Sequence, residues 1–113
     1  MKNINRGEIW LVNFNPTIGH EQSGIRPVLV ISVNEFNNSP ATKVVAIPLT
    51  SRNKDIPLDV SISSPEGGLT KESYIKCEDI RSLSRDRLIT KLGEISSGKL
   101  KEVEYKLKLL LGF

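Results

Sequence analysis

A chain of 113 residues with 16 lysines and arginines against 13 aspartates and glutamates suits one core and carries a formal net charge of +3. One cysteine, Cys77, excludes an internal disulfide framework, and one histidine, His20, cannot complete a zinc site with it. No run of eighteen apolar residues and no apolar leader is visible, so no membrane association is expected and the cytoplasm is the expected location.

In chain order, 8–14 reads as a first strand with Trp10, Val12 and Phe14 on one face and Ile9 and Leu11 on the other. The polar stretch 15–24 reads as a long loop, and long loops in small domains are often functional. A second strand is predicted over about 26–33, where Val28-Leu29-Val30-Ile31 lacks polar alternation and so calls for cover on both faces. Stretch 34–41 is a turn region with one helical turn at 35–37, and 43–49 is a third, apolar strand running into Thr50-Ser51-Arg52. The alternating 58–63 reads as a half-exposed strand, and 65–68 as a turn. Residues 73–80 are predicted as one strand, with Tyr74, Lys76 and Glu78 on one face and Ile75 and a buried Cys77 on the other. A short helical turn at 84–87 precedes a last strand near 88–92. Leu100, Val103, Leu107 and Leu110 form an apolar helical stripe, with Glu102–Lys106 and Glu104–Lys108 as pairs four apart, Ser96 or Ser97 as N-cap and Gly112 as C-cap. This pattern predicts a mainly β (α+β) fold, a small β-barrel with a C-terminal amphipathic helix, in one domain over 1–113. Gly67-Gly68 stands alone, so no phosphate loop and no cofactor or metal is expected.

Arg26 sits at the mouth of the apolar second strand, where Pro27 biases it towards an extended conformation. A guanidinium at the edge of a core calls for an anion. Glu8, Glu21 or Glu78 could supply it, or a phosphate arriving from outside.

Arg6-Gly7-Glu8-Ile9-Trp10, followed by Asn15-Pro16-Thr17-Ile18-Gly19-His20-Glu21-Gln22-Ser23-Gly24-Ile25-Arg26-Pro27-Val28-Leu29-Val30, resembles the MazF/PemK (Kid) family of toxin endoribonucleases. Its pattern is roughly RG(E/D)(I/V)(W/Y), then P…G…EQ.G.RPVL(V/I). The resemblance resumes at Val44-Val45-Ala46-Ile47-Pro48-Leu49-Thr50-Ser51 and Cys77-Glu78-Asp79-Ile80-Arg81-Ser82 and so spans nearly the whole chain. It implies an SH3-like barrel of the CcdB/MazF toxin type, a homodimer with single-stranded RNA in the dimer groove, and a cognate antitoxin whose acidic, disordered tail blocks that groove. It also implies metal-independent cleavage with Arg26 and Thr50 as catalytic residues.

In such cleavage the 2′-hydroxyl is the nucleophile, so the enzyme must align it and stabilise charge on the phosphate oxygens. A guanidinium fork suits this, and a threonine hydroxyl adds one oriented hydrogen bond. Taken alone, Thr50 is an ordinary strand-end hydroxyl bonding the backbone. In the PemK/Kid branch a histidine at the position of His20 belongs to the active site. That branch has Arg-Cys-Asp where this chain has Lys76-Cys77-Glu78, which leaves Glu78 as general base, as orienter of Arg26 or as a base contact. Glu21 and Gln22 are expected to read RNA base edges or to be solvated loop residues; Ser51, Arg52, Lys76 and Arg81 are expected to bind RNA. Two rival classes remain at this point: a CcdB-like toxin that poisons gyrase, and a non-catalytic SH3-like binding module.

Overall fold

The computed structural model describes residues 2–16 and 24–113, and in it seven strands precede one long helix. They are β1 (Glu8–Asn13), β2 (Ile25–Val30), β3 (Lys43–Thr50), β4 (Asp59–Ile62), β5 (Ser73–Lys76), β6 (Arg81–Ser84) and β7 (Leu88–Glu94). A short helical turn α1 (Asn34–Asn37) follows β2, and α2 (Ser97–Leu111) ends the fold. The strands pair antiparallel in the order β4-β5-β3-β2-β1-β7, with β6 also on β3.

Two-residue alternation divides the core between the faces of this sheet. Ile9, Leu29, Ile31, Ile47, Leu49, Val60, Ile62 and Ile75 pack on one face with Cys77 and Val103 of α2. Trp10, Val12, Phe14, Val28, Val30, Val44 and Ala46 pack on the other with Ile4, Leu83 and Leu88. Val28-Leu29-Val30-Ile31 thus alternates between two buried faces, as its uniform apolarity requires.

Residues 73–80 are not the single strand that their alternation predicts. β3 pairs with β5 at Leu49↔Ile75 and with β6 at Ala46↔Arg81, so two residues on β3 face five on its partner. The three extra residues leave the ladder as a 3₁₀ turn, Cys77–Asp79. Pro48, which has no N–H to give, stands where that side of the ladder is interrupted. Glu78 therefore does not share the strand face of Tyr74 and Lys76 by simple period.

The curled sheet is brought together by glycine rather than by another strand pair. The 3₁₀ turn Glu66–Gly68 after β4 lies directly against β7. A Cβ on Gly68 would sit 2.0 Å from the Leu92 carbonyl oxygen, and one on Gly93 would sit 2.6 Å from the Gly67 backbone. Both positions exclude any side chain, and Gly68 also holds a φ of +74°.

On α2 the Ser96 hydroxyl accepts from the Lys99 N–H at 3.2 Å and Gly112 takes the left-handed C-cap at φ 77°, as expected. Val103 is fully buried with Leu100 and Leu107 beside it, while Leu110 is exposed. The expected pairs four apart give way to other partners. Glu104 pairs with Arg6, Glu102 with Lys99, and Lys106 donates to the Pro57 carbonyl.

Candidate nucleic-acid interface

Strand register gathers the candidate residues. Directly opposed residues of antiparallel strands point to the same face, as do residues two apart on one strand. Val28 opposes Pro48, so Arg26 and Thr50, each two residues further along, share that face at neighbouring strand ends. Thr50 opposes Tyr74, which opposes Ser61. Lys76 opposes Asp59, and Ala46 opposes Arg81. Arg26, Thr50, Lys76 and Arg81 thus come to one face, although up to 55 positions of sequence separate them.

Arg26 is exposed and enters β2 opposite Val12. The loop before it is tied at its base. The Phe14 N–H donates to the Gly24 carbonyl at 2.9 Å, the Gly24 N–H to Asn15 Oδ1 at 3.2 Å, and Arg87 Nη1 to the Asn13 and Asn15 carbonyls at 3.0 Å each. His20, Glu21 and Gln22 lie outside the described residues. Thr50 Oγ1 accepts from the Arg52 N–H at 3.2 Å, the backbone bond an ordinary strand-end hydroxyl would make. That bond uses a lone pair and leaves the hydroxyl proton to be donated elsewhere.

Arg81 stacks over the Phe14 ring, 5.4 Å from its centroid. Lys76 Nζ, half-buried, pairs with Asp79 at 3.2 Å. Arg52 is exposed in the turn after β3. Ser51 falls on the opposite side from Thr50. There it lines a pocket of about 390 Å³ with Leu11, Pro27, Leu49, Leu69 and Leu92, and with Lys71 among its polar groups.

Of the three carboxylates weighed as partners for Arg26, Glu8 is committed elsewhere. It accepts from the Asn5 N–H at 2.8 Å, from Trp10 Nε1 at 3.0 Å and from Lys91 Nζ at 2.9 Å. Burial pushes its carboxyl up, but these donors outweigh burial and hold it below the usual range. Glu78 instead meets Asp59 of β4. Both Glu78 oxygens and Asp59 Oδ1 are buried and meet no hydrogen-bond partner. Burial and then Glu78 raise the Asp59 carboxyl to about 7, so Asp59 keeps its proton well above the usual carboxylate range. Burial, followed by the charges of Glu78 and Asp59, pushes the Cys77 thiol up to about 12, so it is a core group and not a nucleophile.

Sequence reasoning missed Asp59 and passed over Tyr74 and Arg87. The period of 58–63 does place Asp59 on a defined face, but nothing local says that Glu78 will fold back onto it. Among the described residues no cluster of three metal-ligating side chains forms, and no helix is long and apolar enough to cross a membrane.

Fold and face together define a small antiparallel β protein that gathers arginine, lysine and hydroxyl groups on one face. The family model described as PemK-like, MazF-like toxin of type II toxin–antitoxin system matches residues 5–111. Endoribonuclease MazF of Staphylococcus saprophyticus is 39% identical over 111 residues, covering 96% of this chain and 92% of that protein. The crystal structure of MazF from Deinococcus radiodurans superposes with a TM-score of 0.87 at 34% identity, over 100% of both chains. A mycobacterial endoribonuclease in complex with its cognate antitoxin gives 0.78 at 26% identity, covering 100% of this chain and 97% of that one. The chain belongs to the PemK-like, MazF-like toxin family.

Proposed function

We propose that this toxin is an endoribonuclease that cuts single-stranded RNA at a short sequence without metal, and that a cognate antitoxin neutralises it. The observation that carries the reading is the common face of Arg26 and Thr50 at adjacent strand ends, reached by register from distant segments. The mycobacterial relative solved with its antitoxin and the staphylococcal relative named an endoribonuclease support the same activity here.

The reaction joins the 2′-oxygen to phosphorus and breaks the bond from phosphorus to the 5′-oxygen. A base takes the 2′ proton, an acid gives one to the leaving oxygen, and the ends are a 2′,3′-cyclic phosphate and a 5′-hydroxyl. Arg26 meets the non-bridging oxygens as a bidentate cation, where charge builds in the transition state. Thr50, held by the Arg52 N–H, donates its remaining proton to the same phosphate. Arg81, fixed over Phe14, and Lys76 hold neighbouring phosphates. Arg52 and Ser51 flank the strand end. Glu78, whose two oxygens are buried beside Asp59, serves as base on turning out towards the 2′-hydroxyl. His20, Glu21 and Gln22 act from the loop.

A second copy completes the groove. Tyr105 and Leu109, four apart on α2, have 60% and 57% of their surface exposed, and Phe113 just past the C-cap has 90%, apolar surface that supports self-association.

The test is purified protein in EDTA with a mixed single-stranded RNA and mapping of the fragment ends. Cyclic phosphate and 5′-hydroxyl ends at one recurring sequence are expected. Survival of every RNA, or cutting at an all-deoxy scissile position, refutes the reading and returns the gyrase and binding-module alternatives.

A further inference from the structure

Tyr74 stands in the middle of the polar row and has no assigned part in it. Its Cα partners are Thr50 on β3 and Ser61 on β4, two small residues that cannot cover a phenol ring from the sides. Its same-face neighbour along β5 is Lys76, and Glu72 lies just before the strand. It belongs to neither apolar cluster, although it is half-buried and both clusters begin close by. A large aromatic ring kept out of both cores and bordered by hydroxyl and charged groups is a poor use of apolar surface unless something flat lies on it.

We infer that Tyr74 is a stacking platform for a nucleobase adjoining the scissile phosphate. Two strand spacings separate β5 from β2, roughly 10 Å, a distance that suits the nucleotide next to a phosphate held by Arg26 and Thr50. Single-stranded RNA offers unstacked bases, and an aromatic ring accepts any of them by its π-face. Phosphates held by arginine and lysine fix the strand's path, and the ring then fixes how the flanking base is turned. The 2′-hydroxyl's line of approach depends on that turn, so stacking acts on positioning and not on proton transfer.

The inference rests on the RNA-cleaving reading, and one experiment separates the two. Binding is measured on RNA made uncleavable by a 2′-deoxy at the scissile position, and cleavage on the all-ribo RNA. Each is also made abasic at one side or the other of the scissile phosphate. Tyr74→Ala is expected to weaken binding of intact RNA by roughly 5–150-fold, and Tyr74→Phe by less than about twofold. One abasic RNA should bind wild type as weakly as intact RNA binds Tyr74→Ala, and on that abasic RNA the variant should lose nothing further. Multiplying effects on both abasic RNAs overturn the inference, because a purely structural loss is blind to the missing base. A Tyr74→Phe loss as large as that of Tyr74→Ala overturns it too, by pointing to the hydroxyl. Wild type that cuts no RNA refutes the underlying activity and the inference with it.

Discussion

Arg26 is exposed while the strand it opens runs into both cores, and this contrast sets its chemistry. Glu8 is saturated by Asn5, Trp10 and Lys91, and the Glu78 oxygens meet no donor, so neither is held as a carboxylate hydrogen-bonded to the guanidinium. Arg26→Ala should slow cleavage by about 10²–10³ with the fold intact, by analogy with loss of an oxyanion donor. A slowdown below tenfold in single-turnover cleavage would reduce Arg26 to a structural group. Asp59 makes a separate prediction. Its carboxyl is raised from 3.8 to about 7, by burial first and then by Glu78. The folded state therefore holds the proton more tightly than the unfolded chain, and this contribution is complete below pH 3.8 and lost as pH rises through about 7. Asp59→Asn cannot ionise, and partial burial discounts the full shift. The variant should gain on the order of 1–2 kcal/mol over wild type at pH 8, and almost nothing at pH 4. Denaturant melts at the two pH values check this, and an equal difference at both would refute it.

At the scale of elements, β5 and β6 look like one strand in the sequence and are two in the structure. The alternation of 73–80 satisfies a strand as well as it satisfies a strand, a turn and a new strand. Only pairing with β3, whose Pro48 interrupts the ladder, decides between them. That break takes Glu78 off the row of Tyr74 and Lys76 and sets it against Asp59. α2 was far more legible, because its caps and its stripe are local signals. The turn Glu66–Gly68 against β7 was not legible, since a glycine pair can also mark any tight turn. Gly93→Ala forces a Cβ onto the Gly67 backbone and should cost about 1–3 kcal/mol by thermal or denaturant unfolding. An unchanged midpoint would mean that this contact is not tight in solution.

For the whole molecule, a net charge of +3 says little, whereas the placement of the charges says more. Arg26, Lys76 and Arg81 come from three strands or their borders onto one face. RNA affinity should therefore fall with salt at a slope near −0.7 for each phosphate neutralised on a single strand. Each of Arg26→Ala and Arg81→Ala should reduce that slope by about 0.7 in titrations across salt. Salt-independent binding would rule out a phosphate-lined face.

The sequence by itself determined the apolar strands, the capped helix, the buried thiol and the motif segments that mark the toxin family, because periodicity, capping and turn chemistry act over a few residues. Tertiary structure alone decided that Arg26 and Thr50 share a face, that Tyr74 lies between Thr50 and Ser61, that Glu78 meets Asp59, and that glycine backbones draw the curled sheet together. Each of these depends on the register between strands distant in sequence. A shift of one residue would turn every side chain of a strand to the opposite face, and packing of the two cores is what forbids it.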